Sequence, residues 1–286
     1  MLNIKIKGIK FLFLCFLVFL FSCFALVQPV SAVIDTQYDN LGLSSIAINA
    51  KTGKVLGGKA MDQVLPYASL TKLMTALVLI DLKIEQNMNK KITITKADMD
   101  HVNPYIEDGD ITSSINIKAG DKVLARDLWN AMLIASSNES AAALVRNSGI
   151  SPANFVKRMN KKAATLGLKK TKFTECSGID PKNIGTAREM AVIARKAFGF
   201  PLINNASIKT AYQFKTLNTK RLVGVYSRNT SLNNMKPVAM KVGFLVEAKS
   251  NVALRLKKGT KDRVIVVLHS AGSAKRNAEI NRLMSL

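Results

Sequence analysis

The chain has 286 residues, with 42 Lys and Arg against 19 Asp and Glu, for a formal charge of +23. That balance favours polyanionic surroundings: nucleic acid, an anionic membrane or an anionic cell wall. With only two histidines, His101 and His269, a Ser-His-Asp hydrolase has little material to draw on.

Residues 1–32 read as an export signal. Lys5, Lys7 and Lys10 form a positive segment, Phe11 to Val27 is apolar, and Val30-Ser31-Ala32 offers small residues for cleavage. A retained membrane anchor is the competing reading, but the run is short for a span and Gln28-Pro29 breaks it. Cleavage leaves residues 33–286, enough for one sizeable domain, with a charge of about +20. Cys15 and Cys23 leave with the signal, so Cys176 has no partner for an internal disulfide and reads as a small buried residue. Export argues against nucleic acid. So do the scattered pairs Lys161-Lys162, Lys169-Lys170 and Lys257-Lys258, which lack interleaved aromatics. Peripheral association with wall or membrane through the basic surface remains.

Ser44 to Asn49, the turn Lys51-Thr52-Gly53-Lys54 and Val55-Leu56 predict a hairpin. A helix follows from Ser69 to about Leu82, with Leu73, Leu77 and Ile80 at helical spacing. Residues 88–122 are polar and read as loops with short strands. Helices are predicted over Arg126 to Val145, broken at Ser136-Ser137-Asn138, and from Pro152 to Leu166. Another runs from its Thr186 cap to Ala197. Val238 to Leu245, Asn251 to Leu256 and Val264 to Leu268 read as strands, and Lys275 to Leu286 as a last helix. The pattern predicts an antiparallel sheet built from both ends of the chain, with a helical lobe inserted between them.

Ser69 and Lys72, in Ser69-Leu70-Thr71-Lys72, stand one turn apart on one helix face. An amine in that place can take the serine proton if burial lowers its pKa, which gives a nucleophile without histidine. Ser136-Ser137-Asn138 lies between helical segments, where Ser136 can relay a proton and the Asn138 amide can position Lys72 and substrate. Ser114-Ile115-Asn116 and Ser231-Leu232-Asn233 repeat the triplet in less suitable places. Lys241-Val242-Gly243, on a predicted strand, offers a cation, and its glycine lets substrate come close. A similar triplet, Lys51-Thr52-Gly53, precedes Ser69 and reads as a hairpin turn. Val242 keeps the strand but offers no hydroxyl, where a threonine would add a hydrogen bond of about 1.5–3 kcal/mol to a bound anion. No metal or cofactor is expected.

Ser-x-x-Lys, Ser-x-Asn and Lys-x-Gly in this order resemble the signature of serine penicillin-binding proteins and class A β-lactamases. Further stretches resemble the low-molecular-mass penicillin-binding proteins of the D-alanyl-D-alanine endopeptidase and carboxypeptidase family. They are Ala68 to Ala76, Thr112-Ser113-Ser114 with Ala119-Gly120-Asp121, Asn130 to Ala142, Leu166-Gly167-Leu168 with Thr171-Lys172-Phe173, Ser177-Gly178 and Thr186 to Glu189. The resemblance implies an α/β transpeptidase-like fold: a five-stranded antiparallel sheet flanked by helices, with an inserted helical lobe. Carboxypeptidases of the family usually carry a further β-rich domain, and about 43 residues follow Gly243 here, so it points to the single-domain endopeptidase branch.

The resemblance further implies an exported, periplasmic enzyme that cuts peptidoglycan peptide cross-links and is blocked covalently by β-lactams. Ser69 would be the acylated nucleophile, Lys72 the general base, and Ser136 with Asn138 the relay. Lys241 would be the carboxylate-side cation, with Val242, Gly243 and Phe244 lining the substrate strand. The oxyanion hole would be formed by the N–H groups of Ser69 and Phe244. Ala248-Lys249 departs from the family's usual Ala-Gly. The alternatives are a D-Ala-D-Ala carboxypeptidase and, because of Val242 and Lys249, a weakly active or non-catalytic wall-binding homologue. A class A β-lactamase is disfavoured because Glu175-Cys176-Ser177-Gly178-Ile179 lacks that class's deacylating glutamate context.

Overall fold

The computed structural model describes residues 41–106, 112–227 and 229–286. The export signal expected over residues 1–32 lies outside the described residues. The strands are β1 (Ser44–Asn49), β2 (Val55–Lys59), β3 (Leu65–Pro66), β4 (Lys91–Thr93), β5 (Lys122–Leu124), β6 (Ile184–Gly185), β7 (Ala211–Lys215), β8 (Leu222–Tyr226), β9 (Ala239–Leu245), β10 (Lys249–Lys258) and β11 (Lys261–Ser270). The main helices are α1 (Thr71–Asp81), α2 (Ala125–Ile134), α3 (Asn138–Arg146), α4 (Pro152–Thr165), α5 (Ala187–Ala197), α6 (Pro201–Ser207) and α7 (Ser273–Ser285).

Five strands form the central antiparallel sheet in the order β2-β1-β11-β10-β9. β1 pairs with β11 from Ser44↔Leu268 to Asn49↔Arg263, so the first strand sits beside the last. Side chains alternate between the two faces. Ile46, Ile48, Ala253, Val264, Val266 and Leu268 join the large core shared with the helical lobe. Ala47, Val252, Leu254, Ile265 and Val267 meet Ile280, Leu283 and Met284 of α7 on the other face. Because both faces are covered, Val264 to Leu268 is apolar throughout rather than alternating.

α1 runs through the middle of the larger core. Leu73, Met74, Ala76, Leu77, Val78 and Leu79 are all buried, so the helix is apolar on every side. That pattern decides the state of Lys72, because a lysine at the start of such a helix has no exposed face. Among the described residues no helix is long and apolar enough to cross a membrane.

The predicted helices and sheet strands form close to their expected limits, and the lobe is inserted between β2 and β9. Several features depart from expectation, among them α6, which the sequence did not suggest. Residues 88–122 hold β4 and β5 but also a short helix, Lys96–Met99, where Thr95 and Asp98 cap each other's backbone, and a 3-10 segment, Asp100–Tyr105. β7 and β8 form a hairpin that was not expected, with Val223 and Val225 buried between exposed Leu222 and Tyr226. Ser69 itself lies in a 3-10 turn, Ala68–Leu70, that leads into α1.

Candidate active site

The turn bearing Ser69 is clamped on two sides. Ala68 has φ +48°, a left-handed conformation that a side chain disfavours, and Gly178 opposite has φ +82°. A Cβ on Gly178 would lie 2.0 Å from the Ala68 carbonyl oxygen, so only glycine fits. From the sheet side, a Cβ on Gly243 would lie 2.9 Å from the Ser69 nitrogen and 3.0 Å from Ala68 Cβ. β9 is the sheet's edge strand and therefore passes directly beside the serine. Ser69 is 9% exposed and opens onto a cleft.

Lys72 is fully buried. Its Nζ donates to Ser69 Oγ (3.0 Å), Asn138 Oδ1 (2.7 Å) and the Ser177 carbonyl (2.6 Å). These three partners suit either protonation state. The ammonium form has three hydrogens for three acceptors. The neutral amine keeps two for Asn138 and Ser177, and turns its lone pair to the Ser69 hydroxyl, which then donates. Burial pulls the Lys72 pKa down to about 8, against the charge of Glu175, which pushes it up. The N-terminus of α1 adds a positive dipole end beside Ser69, which favours a developing alkoxide.

Ser136 belongs to a second pair. It has φ +63°, and its Oγ accepts from Lys241 Nζ at 2.8 Å. Lys241 also donates to the Val242 carbonyl (2.9 Å) and is only 3% exposed. Burial, and then the charge of Lys72, hold its pKa well below the usual lysine value. The motif residues thus gather around two lysines, Ser69 and Asn138 on Lys72, and Ser136 on Lys241. The triplet Lys51-Thr52-Gly53 lies in the β1–β2 turn, with Gly53 against Arg195, as its position in the sequence predicts.

The cleft, of about 410 Å³, is lined by Ser69, Ser136, Asn138, Val242, Gly243 and Phe244 among others. It also reaches Arg276, which the sequence reading did not single out. Arg276 is 5% exposed and donates to Ser250 Oγ at 3.1 Å. Among the described residues no carboxylate pairs with it, and burial alone draws its pKa down to about 10. Its Nε and Nη2 also donate to Asn277 Oδ1, an uncharged acceptor, at 3.3 and 3.2 Å, so the buried guanidinium at the end of the cleft keeps its charge uncompensated and can take an anion. Lys241, the expected carboxylate-side cation, donates to Ser136 Oγ, which lines the cleft, and Arg276 adds a second cation that the cleft reaches. A signal for it exists. Arg276 shares a helix face with Ile280, Leu283 and Met284, an apolar phase where an arginine is out of place.

Glu175 fixes the far wall. It accepts from the N–H groups of Ser177 and Gly178, from Asn183 Nδ2 (all 2.5 Å) and from His101 Nε2 (3.0 Å). Burial alone would raise its pKa, but His101 and Ser177 outweigh that and hold it at about 2. Glu139 is pushed up by burial, and it ties the lobe to the cleft by accepting from Ile115 N at 2.7 Å.

Comparison with known proteins agrees with this geometry. The D-alanyl-D-alanine carboxypeptidase family, peptidase family S11, matches residues 34–272. A D-alanyl-D-alanine endopeptidase of Pseudomonas aeruginosa is 29% identical, over 89% of this chain and 80% of its own length. The D-alanyl-D-alanine carboxypeptidase DacF of Bacillus subtilis is 27% identical, over 84% of this chain and 60% of its own. The crystal structure of the Streptomyces K15 DD-transpeptidase superposes with a TM-score of 0.77 at 28% identity, over 86% of this chain and 96% of that one. A serine and a lysine joined on a buried helix, at a cleft edged by an antiparallel sheet, are thus carried by a chain that belongs to the D-alanyl-D-alanine carboxypeptidase family of serine peptidases.

Proposed function

We propose that Ser69 is the nucleophile of a D-Ala-D-Ala endopeptidase that opens peptidoglycan peptide cross-links outside the cytoplasm. The contact of Lys72 Nζ with Ser69 Oγ in the buried, largely apolar first turns of α1 carries this reading. Lys72 in its amine form takes the Ser69 proton as Oγ attacks the D-alanyl carbonyl. The tetrahedral oxyanion is received by the N–H groups of Ser69 and Phe244. When the amide C–N bond breaks, the leaving amine takes a proton through Ser136, which Lys241 supports, and an ester on Ser69 remains. Water then hydrolyses that ester and Ser69 regains its proton. Asn138 holds Lys72 and the substrate backbone. Arg276 with Ser250 receives the carboxylate beside the scissile amide and supplies the charge and the hydroxyl that Val242 does not. Val242, Gly243 and Phe244 form the strand along which the substrate lies.

A second depression, lined by Ser114, Ile115, Asn116, Gly224 and Tyr226, meets the cleft at Ala135. It gives room for a second peptide strand and favours the endopeptidase over the carboxypeptidase reading. The basic surface suits peripheral contact with an anionic wall or membrane. The purified full chain is expected to form a covalent adduct with a fluorescent penicillin, mapped to Ser69 by peptide mass spectrometry. Defined cross-linked and uncross-linked muropeptides then separate the two activities. Release of terminal D-Ala without cleavage of cross-links assigns a carboxypeptidase. Acylation by neither penicillin nor muropeptide overturns the catalytic reading and leaves a wall-binding homologue.

A further inference from the structure

Behind the catalytic lysine lies a cluster that the proposed reaction does not use. His101 Nε2, a Glu175 carboxylate oxygen and Cys176 Sγ all lie within 4.8 Å of one another. The Nε2···Oε2 distance is 3.0 Å and the Nε2···Sγ distance is 4.0 Å. One nitrogen, one sulfur and one oxygen ligand is a donor set suited to zinc-class cations. Around a tetrahedral zinc such ligand atoms stand about 3.4–3.7 Å apart. The two separations from Nε2 bracket that range and no pair exceeds 4.8 Å, so side-chain shifts of up to about 1 Å bring the three atoms to it.

We propose that His101, Glu175 and Cys176 form a binding site for a zinc-class divalent cation, set directly behind the loop that holds Lys72. The cation takes the place of the proton now shared between His101 and Glu175. The imidazole proton moves to Nδ1 and the thiol proton leaves to solvent, so one carboxylate and one thiolate neutralise the divalent charge. Two of the ligands are already oriented. Three N–H donors hold the Glu175 carboxylate, and Thr75 Oγ1 donates to the Cys176 carbonyl at 2.6 Å. His101 keeps 19% of its side chain exposed, which gives an entry path and room for a water as the fourth ligand. Ser177 Oγ stands 3.2 Å from the same imidazole nitrogen.

The position links the site to catalysis. Ser177 offers its carbonyl to Lys72, and Gly178 packs on the turn of Ser69. A cation gripping residues 175 and 176 from behind stiffens both contacts, so its occupancy alters the rate at which Ser69 is acylated.

The test uses the full chain, stripped with a chelator and titrated with zinc against a chromophoric competitor. One zinc per chain is expected, with affinity reduced at least about tenfold in His101→Gln and in Cys176→Ser. With cobalt in place of zinc, the wild type should show a thiolate-to-cobalt charge-transfer band that Cys176→Ser lacks. No uptake by the wild type, or undiminished affinity in either variant, overturns the three-ligand site. Zinc should also change the rate of fluorescent-penicillin acylation several-fold in the wild type but not in Cys176→Ser. A rate unmoved by bound zinc overturns the link to Ser69. Acylation of the zinc-free protein tests the peptidase reading separately, so the two ideas fail independently.

Discussion

The pH dependence of acylation tests the role of Lys72 most directly. Only its neutral amine can accept the Ser69 proton, and burial places its pKa at about 8. The neutral fraction is then about 1% at pH 6, about 9% at pH 7 and half at pH 8. The acylation rate constant for a fluorescent penicillin should therefore rise about tenfold from pH 6 to 7, about fivefold from 7 to 8 and about twofold from 8 to 9. The same shift has a thermodynamic signature. The unfolded chain keeps an ordinary lysine near 10.5, so between pH 8 and 10.5 it binds more protons than the folded chain, and stability rises with pH across that window. Below pH 8 both states are protonated and the fold carries the full penalty, about 3 kcal/mol. Above 10.5 both are neutral and the penalty is gone. Stopped-flow acylation and denaturant titration across pH 6–10 measure both effects. A rate flat or falling between pH 6 and 8 would refute Lys72 as the base, even if Ser69 is acylated.

Other residues give separable outcomes. Arg276→Met should lower kcat/KM on substrates with a free carboxylate by about 10- to 150-fold, while substrates with that carboxylate amidated are little affected; equal losses on both would remove the anion site. Val242→Thr should raise penicillin acylation by about tenfold through a new hydrogen bond to the carboxylate, and an unchanged rate would show that Arg276 and Ser250 already meet that need. Gly178→Ala, which forces a Cβ against the Ala68 carbonyl at φ +82°, should cost roughly 1–3 kcal/mol in denaturant unfolding, and an unaltered midpoint would contradict the clamp on Ser69.

Local pattern carried much of this molecule. Ser69 and Lys72 are three apart, so helical periodicity alone makes them neighbours, and the apolar run around Lys72 foretells its burial. Thr186, Pro152 and the strand runs near the C-terminus mark their own elements through caps and β-branched content. What was missed depends on distance along the chain. Ser177 offers a backbone carbonyl to Lys72 from 105 residues away, and a carbonyl leaves no mark on residue type. Arg276 is set apart only by its phase on α7, which becomes meaningful once Ser250 and β9 are beside it. The β7–β8 hairpin alternates correctly at Val223 and Val225, but Gly224 and Tyr226 dilute the apolar signal. The short helix at Lys96 rests on one capping box, Thr95 with Asp98, within a stretch too polar to show a period.

The sheet order β2-β1-β11-β10-β9 has a consequence for how activity arises in time. β1 cannot gain its inner neighbour until β11 has been synthesised more than two hundred residues later. The turn at Ser69 likewise waits for Gly243 to close on it. Contacts of such sequence separation are slow to form and cooperative once made. A nascent chain ending before β9 carries both Ser69 and Lys72 but no wall against which to hold them. The site is therefore complete only once the final strands have closed on the first, wherever the chain folds.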